Sequence, residues 1–250
     1  MLYVVYLFIL GLLFGSFFYC MGIRLSNNES LIRPPSHCDF CKHQLGILDL
    51  IPIFSFVFLK GKCRYCHKKL PFDYLLFELL TGILFAFSYT KFHFSYEFFI
   101  SLILSSLVVL IFITDFKYMI ILDSPLIVSL VLIFILKCIY FDFNAALISL
   151  GHGLCMFLTM FAIGKFGSFV FKKESLGGGD IKFSFIMGMV LTYKFSMVAL
   201  ILSTFLALPY AIGSMYFSKA HEVPYGPFLV SSVFLVFYFF DKFQYLFYFI

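Results

Sequence analysis

The sequence contains no tryptophan, and only 12% of its 250 residues are charged. Soluble domains average about 25% charged and about 45–50% apolar residues. Here the hydrophobic share is 62% and the mean hydropathy +1.03, so a water-soluble globular fold is excluded and most of the chain belongs in lipid. Any basic stripe with interleaved aromatics is also missing. The net charge of +5 is small and unevenly placed, which implies no nucleic-acid partner. The first residues carry neither a basic lead-in nor a small-residue cleavage site, so the apolar run from Leu2 is expected to be a retained span and not a removed signal peptide. The 39 phenylalanines and the excess of Lys over Arg read as the codon bias of an AT-rich genome, not as function. No internal repeat or low-complexity linker stands out.

A membrane-crossing helix needs about 20 largely apolar residues. Runs of that kind lie at 2–21, 74–90, 97–115, 123–140, 144–166, 181–193, 195–217 and 227–250, the sixth being short and the 181–217 stretch open to a different split. The expected fold is therefore an all-α polytopic membrane protein of about eight transmembrane helices. Residues 22–73 differ in kind: they are polar, hold two CxxC pairs and are too long for an ordinary turn. They read as a small domain in water between the first two spans. With the N-terminus outside, inside segments hold fourteen of the eighteen Lys and Arg residues, among them Lys69, Lys117, Lys173 and Lys219. Outside segments keep four, Lys91, Lys137, Lys194 and Lys242. The positive-inside rule then places the polar domain in the cytoplasm.

Four of the seven cysteines form Cys38-x-x-Cys41 and Cys63-x-x-Cys66. Two residues between thiolates let both sulfurs turn onto one tetrahedral metal, and zinc is the metal such pairs hold. A reducing cytoplasm argues against disulfides. Two unrelated reduced pairs, or a redox-active dithiol, are the competing readings. Residues 22–73 carry eight basic and four acidic side chains, which offsets the charge of four thiolates around a dication. Cys20, Cys138 and Cys155 lie in spans and read as small apolar fillers.

Acidic side chains in or beside spans are costly and mark function by default. Asp115 ends the third run, and Asp180 follows Gly177-Gly178-Gly179 and opens the sixth. In this topology both lie near the cytoplasmic interface. Two carboxyls brought together cannot both ionise cheaply, so the pair shares a proton. One can then take a proton from water while the other polarises a carbonyl, the arrangement of an aspartic peptidase. Taken singly, Asp180 reads as a helix N-cap and Asp115 as an interfacial charge. Lys182 reads as a snorkelling side chain.

From about Gly11 to Leu229 the chain resembles the prepilin peptidase family, the GxGD-type type IV leader peptidases and N-methyltransferases. Gly177-Gly178-Gly179-Asp180-Ile181-Lys182 matches the family's GxGDxK element, and Asp115 with Asp123 matches the segment of its first catalytic aspartate. Pro224-Tyr225-Gly226-Pro227-Phe228 matches its PxGPF element. Gly15-Ser16-Phe17 with Arg24, both CxxC pairs, Ile51-Pro52, Gly61-Lys62-Cys63 and Glu78-Leu79-Leu80-Thr81-Gly82 match as well. Leu122 stands where the family usually has Pro, Tyr19 where Asn is common, and Asp49-Leu50 where an acid-Asn pair is common.

The resemblance implies an enzyme of a bacterial plasma membrane, with its active site at the cytoplasmic face. Its substrates would be prepilins or pseudopilins serving DNA uptake, adhesion or secretion. Asp115 and Asp180 would cut the short basic leader after a Gly, supported by Gly177, Gly179, Lys182, Pro224, Gly226 and Pro227. S-adenosyl-L-methionine would then methylate the new N-terminal residue. The implied organisation is a first span at 1–21, a zinc-binding cytoplasmic domain linked to methylation at 22–73, with Gly61 and Asp49 at the methyl donor, and a peptidase domain at 74–250. Competing readings are an intramembrane peptidase without methyl transfer, a cation-coupled transporter using Asp115 and Asp180, and a membrane scaffold with a zinc module. Transport predicts acids near mid-membrane and repeat symmetry; the sequence offers neither.

Overall fold

The computed structural model describes residues 1–38, 40–173, 175–217, 223–240 and 243. It divides into two compact units, Met1–Ile113 and Thr114–Ile250. The described residues form no strand, and six helices are long and apolar enough to cross a membrane.

In the first unit, α1 (Leu2–Ser26) packs along α3 (Asp73–Phe92). Lipid gives no hydrophobic push between helices, so close association needs small side chains. Gly11 and Gly15, four apart, supply them: a Cβ on Gly11 would stand 2.7 Å from the Gly82 Cα, and one on Gly15 would stand 2.8 Å from the Glu78 Cα. Parts of the GSF and ELLTG elements are therefore a helix contact. Phe18, Tyr19 and Phe85 form a core with Val109, Leu110 and Ile113 of α4 (Tyr96–Tyr118). Tyr19 is 1% exposed and its ring lies 4.1 Å from that of Tyr74, so the residue in the Asn position is part of this core.

Between α1 and α3 the polar segment has little regular structure: a single 3-10 turn at Ile47–Asp49 and a short α2 (Phe54–Phe58). Side chains order it instead. The buried Arg24 at the end of α1 donates to the carbonyls of Ser30, Leu31, Pro34 and Pro35.

The second unit holds α5 (Asp123–Tyr140), α6 (Phe143–Phe171), α7 (Gly178–Phe217) and α8 (Gly226–Tyr238). α7 is two arms. Thr192 has φ 64° and ψ 164°, outside the helical region. In a straight helix residues 187 and 196 would stand about 13 Å apart along the axis. Instead the Ser196 hydroxyl donates to the Met187 carbonyl at 3.0 Å, so the chain turns back at Thr192. The arms, 178–191 and 193–217, are the sixth and seventh apolar runs, and α8 begins the eighth. The remainder of that run lies outside the described residues, apart from Phe239, Phe240 and Phe243; Lys219 and Lys242 also lie outside them. α6 and α7 touch backbone to backbone, since a Cβ on Gly188 would stand 2.5 Å from the His152 carbonyl oxygen.

Candidate active site

Asp115 lies in the last turn of α4 and Asp180 in the first turn of α7. Both are 7% exposed, and both line one open cavity of about 910 Å³ within the second unit. Asp115 Oδ2 accepts the Gly226 N–H at 2.9 Å, so the first residue of α8 orients this carboxylate. Among the described residues, Asp180 Oδ1 is buried with no hydrogen-bond partner. The rest of the lining mixes apolar side chains, among them Met160, Ile163, Leu200 and Ile201, with the polar Ser175 and Thr204. Tyr225 also lines the cavity, its hydroxyl hydrogen-bonded to Ser203. The site expected from the sequence includes Pro224, Gly226 and Pro227, which are buried here, but passes over Tyr225 and Ser203. The place of Tyr225 inside the PxGPF element was its only signal.

The three glycines before Asp180 are not equivalent. A Cβ on Gly177 would come 3.0 Å from Asp180 Oδ2, and one on Gly179 would come 2.6 Å from the Ile121 Cβ. Gly178 has nothing within 4 Å. Gly179 thus lets the start of α7 close on the loop before α5. Lys182 is tied to the same loop by a different route: its Nζ donates to both oxygens of Asp123 at 2.7 Å. This pair joins the two aspartate motifs at the surface, where ion pairs contribute little. Leu122 has φ −72°, a value proline itself takes, so a proline ring would suit this backbone.

In the first unit the Sγ atoms of Cys38, Cys41, Cys63 and Cys66 all lie within 4.8 Å of one another. Thiolates at about 2.3 Å from a zinc ion stand roughly 3.8 Å apart, and Cys38 and Cys66 are 3.9 Å apart. Both knuckles follow one plan. The Cys38 amide donates to the His43 carbonyl, with Lys42 at φ 57°, and the Cys63 amide donates to the Lys68 carbonyl, with His67 at φ 56°. Burial pushes the Cys63 thiol up, but the amides of Cys66 and Tyr65 and the neighbouring thiols bring it down to about 7. The Lys68 amide lowers Cys66, yet burial and the surrounding thiols leave it raised, at about 11. Four sulfurs competing for negative charge are what a dication would satisfy, and the donor set fits zinc.

Beside this cluster a smaller cavity, about 120 Å³, is bounded by Asp49, Arg64, Tyr74 and Glu78. Asp49 Oδ1 accepts from Arg64 Nε at 2.7 Å, and Oδ2 accepts from the Gly46 amide at 3.1 Å and the Tyr65 hydroxyl at 3.4 Å. Gly61 sits at φ +68° against the Phe56 ring, which is on the cavity wall. The same wall carries two basic side chains, Lys62 and Arg64, and Arg64 is the one held by Asp49.

Residues 9–92 match the bacterial peptidase A24 N-terminal domain, and residues 102–212 match the type IV leader peptidase family. A prepilin leader peptidase/N-methyltransferase of Bacillus subtilis (strain 168) is 32% identical over 241 residues, 94% of each chain. One of Myxococcus xanthus (strain DK1622) is 34% identical over 77% of this chain and 57% of its own. One of Neisseria gonorrhoeae is 29% identical over 87% and 77%. No solved structure matches. The chain is a multi-pass membrane protein and an enzyme, and it belongs to the type IV leader peptidase family.

Proposed function

We propose that the chain cuts the basic leader from prepilins or pseudopilins after a Gly, with Asp115 and Asp180 as the catalytic pair, at the cytoplasmic face of the membrane. The observation that carries this reading is one cavity that holds both buried carboxylates beside several apolar side chains. A pilin-like substrate has the same division: a polar leader junction followed by a hydrophobic helix. In the reaction one carboxylate takes a proton from water, while the other, as the acid, donates to the scissile carbonyl. The Gly226 amide holds Asp115 in place for this, and the unpartnered Asp180 Oδ1 leaves a site for water. The fourteen-to-four basic asymmetry supports the cytoplasmic placement.

The second half of the proposal is N-methylation of the new terminus, served by residues 22–73. Cys38, Cys41, Cys63 and Cys66 would hold one structural zinc that staples the segment. S-adenosyl-L-methionine supplies a methyl group on a cationic sulfur; Asp49 and Glu78 on the cavity wall, with Gly61 behind Phe56, are the residues that would shape its pocket. The test is incubation of the purified protein with a synthetic prepilin and S-adenosyl-L-methionine, the product being read by mass spectrometry. Loss of the leader mass plus the gain of one methyl group is expected. An uncut precursor would reject the peptidase reading, and a cut but unmethylated product would reject the second half.

A further inference from the structure

Glu78 stands in the second turn of α3, a residue 7% exposed, on the wall of the smaller cavity. The other charged side chains on this wall are Asp49, Lys62 and Arg64, and Asp49 already accepts from Arg64, Gly46 and Tyr65. Among the described residues neither Lys62 nor Arg64 forms an ion pair with Glu78. Its Oε2 accepts the Ile53 amide at 2.8 Å, and Ser16 is its other hydrogen-bonding neighbour. A carboxylate taken out of water without a cation beside it is strongly disfavoured. The contact it does make is also unusual. Ile53 has φ 61°, which a β-branched residue rarely adopts, and Glu78 fixes that backbone at the cavity edge. Strained backbone held beside a cavity is a mark of binding sites.

We propose that Glu78 is the counter-charge for a cationic group bound in this cavity. Two groups of that chemistry enter methyl transfer: the sulfonium of the donor, which leaves as a neutral thioether, and the α-ammonium of the freshly cut chain, which loses a proton to water before its nitrogen takes the methyl group. The assignment rests on the methyl-transfer reading above. It gives Glu78, a residue whose motif otherwise serves helix packing, a role in ligand binding, and it leaves Asp49 to hold Arg64 and the 3-10 turn.

The decisive variant is Glu78→Gln in the full-length protein. Its amide oxygen still accepts from Ile53, so a purely structural role predicts no change. Loss of the charge alone is expected to lower methylation about tenfold or more, with zinc content and cleavage retained. Isothermal titration with S-adenosylmethionine and with its neutral thioether product identifies the cation. If Glu78 faces the sulfonium, the substitution weakens the first ligand and spares the second. If it faces the α-ammonium, both affinities hold and the KM for cut pilin rises. Glu78→Ala, which also removes the Ile53 anchor, should lose zinc and thermal stability. Methylation by Glu78→Gln within about twofold of the unaltered protein would overturn the assignment, as would loss of zinc in parallel with methylation. Absence of methylation in the unaltered protein would instead reject the methyl-transfer reading, and the assignment with it.

Discussion

The two units treat their buried carboxylates differently. In 1–113 acids hold backbone and side chains in place: Asp49 gathers three donors, and Glu78 clamps Ile53. In 114–250 Asp115 has one anchoring amide, and Asp180 keeps a buried oxygen with no partner. An unpaired buried polar atom costs about 1–3 kcal/mol, and native structures keep few of them. In the function proposed above, the acid–base pair lies in the second unit, and the first serves to bind and to order a polar loop.

The largest effect that sharpens this contrast is expected from Asp115→Asn and Asp180→Asn. Each should lower cleavage roughly 10²–10⁴-fold, because an amide cannot exchange the proton. Membrane insertion and zinc content, measured by fractionation and elemental analysis, should stay normal.

Next in size is the metal staple. Cys63→Ser should leave less than about half a zinc per chain, since the remaining three thiolates no longer close a tetrahedral site. Methylation should fall more than cleavage. Gly61→Ser acts on the same unit by strain, as a side chain at φ +68° is disfavoured by about 1–2 kcal/mol and would meet Phe56 at 3.0 Å. Asp49→Ala should act in the same direction by releasing Arg64. If both activities decline together in step with thermal stability, the division between the units breaks.

Most of the apolar runs were legible because hydropathy needs no tertiary information, but the turn at Thr192 was legible only in part, since the stretch 181–217 allowed more than one division. The four cysteines were legible from spacing, and the two aspartates from the cost of a charge beside lipid. Contacts between distant residues left no such trace. Nothing in the order of residues says that Lys182 pairs with Asp123 or that Gly226 holds Asp115, 111 positions away. The triple glycine is the clearest partial case. Its presence signals a close approach, but only the geometry separates Gly179, pressed on Ile121, from Gly178, which is open.

That separation makes the third prediction. Gly179→Ala should destabilise the second unit by about 1–3 kcal/mol through overpacking and reduce cleavage. Gly178→Ala should be neutral or slightly stabilising in thermal unfolding, since alanine is the better helix former. Equal damage from both would mean that the glycines serve flexibility and not fit. The smallest effect is expected from Lys182→Met. Its exposed pair with Asp123 should contribute under about 1 kcal/mol, so cleavage should change by less than about threefold. A large loss would place Lys182 in the chemistry itself.

The most direct measurement is one product spectrum across four proteins: unaltered, Asp115→Asn, Asp180→Asn and Cys63→Ser, each incubated with the same prepilin and methyl donor. Two sites in two units predict a cut and methylated product from the first, intact precursor from both Asn variants, and a cut but poorly methylated product from Cys63→Ser. Cleavage at a near-normal rate by either Asn variant would contradict the account.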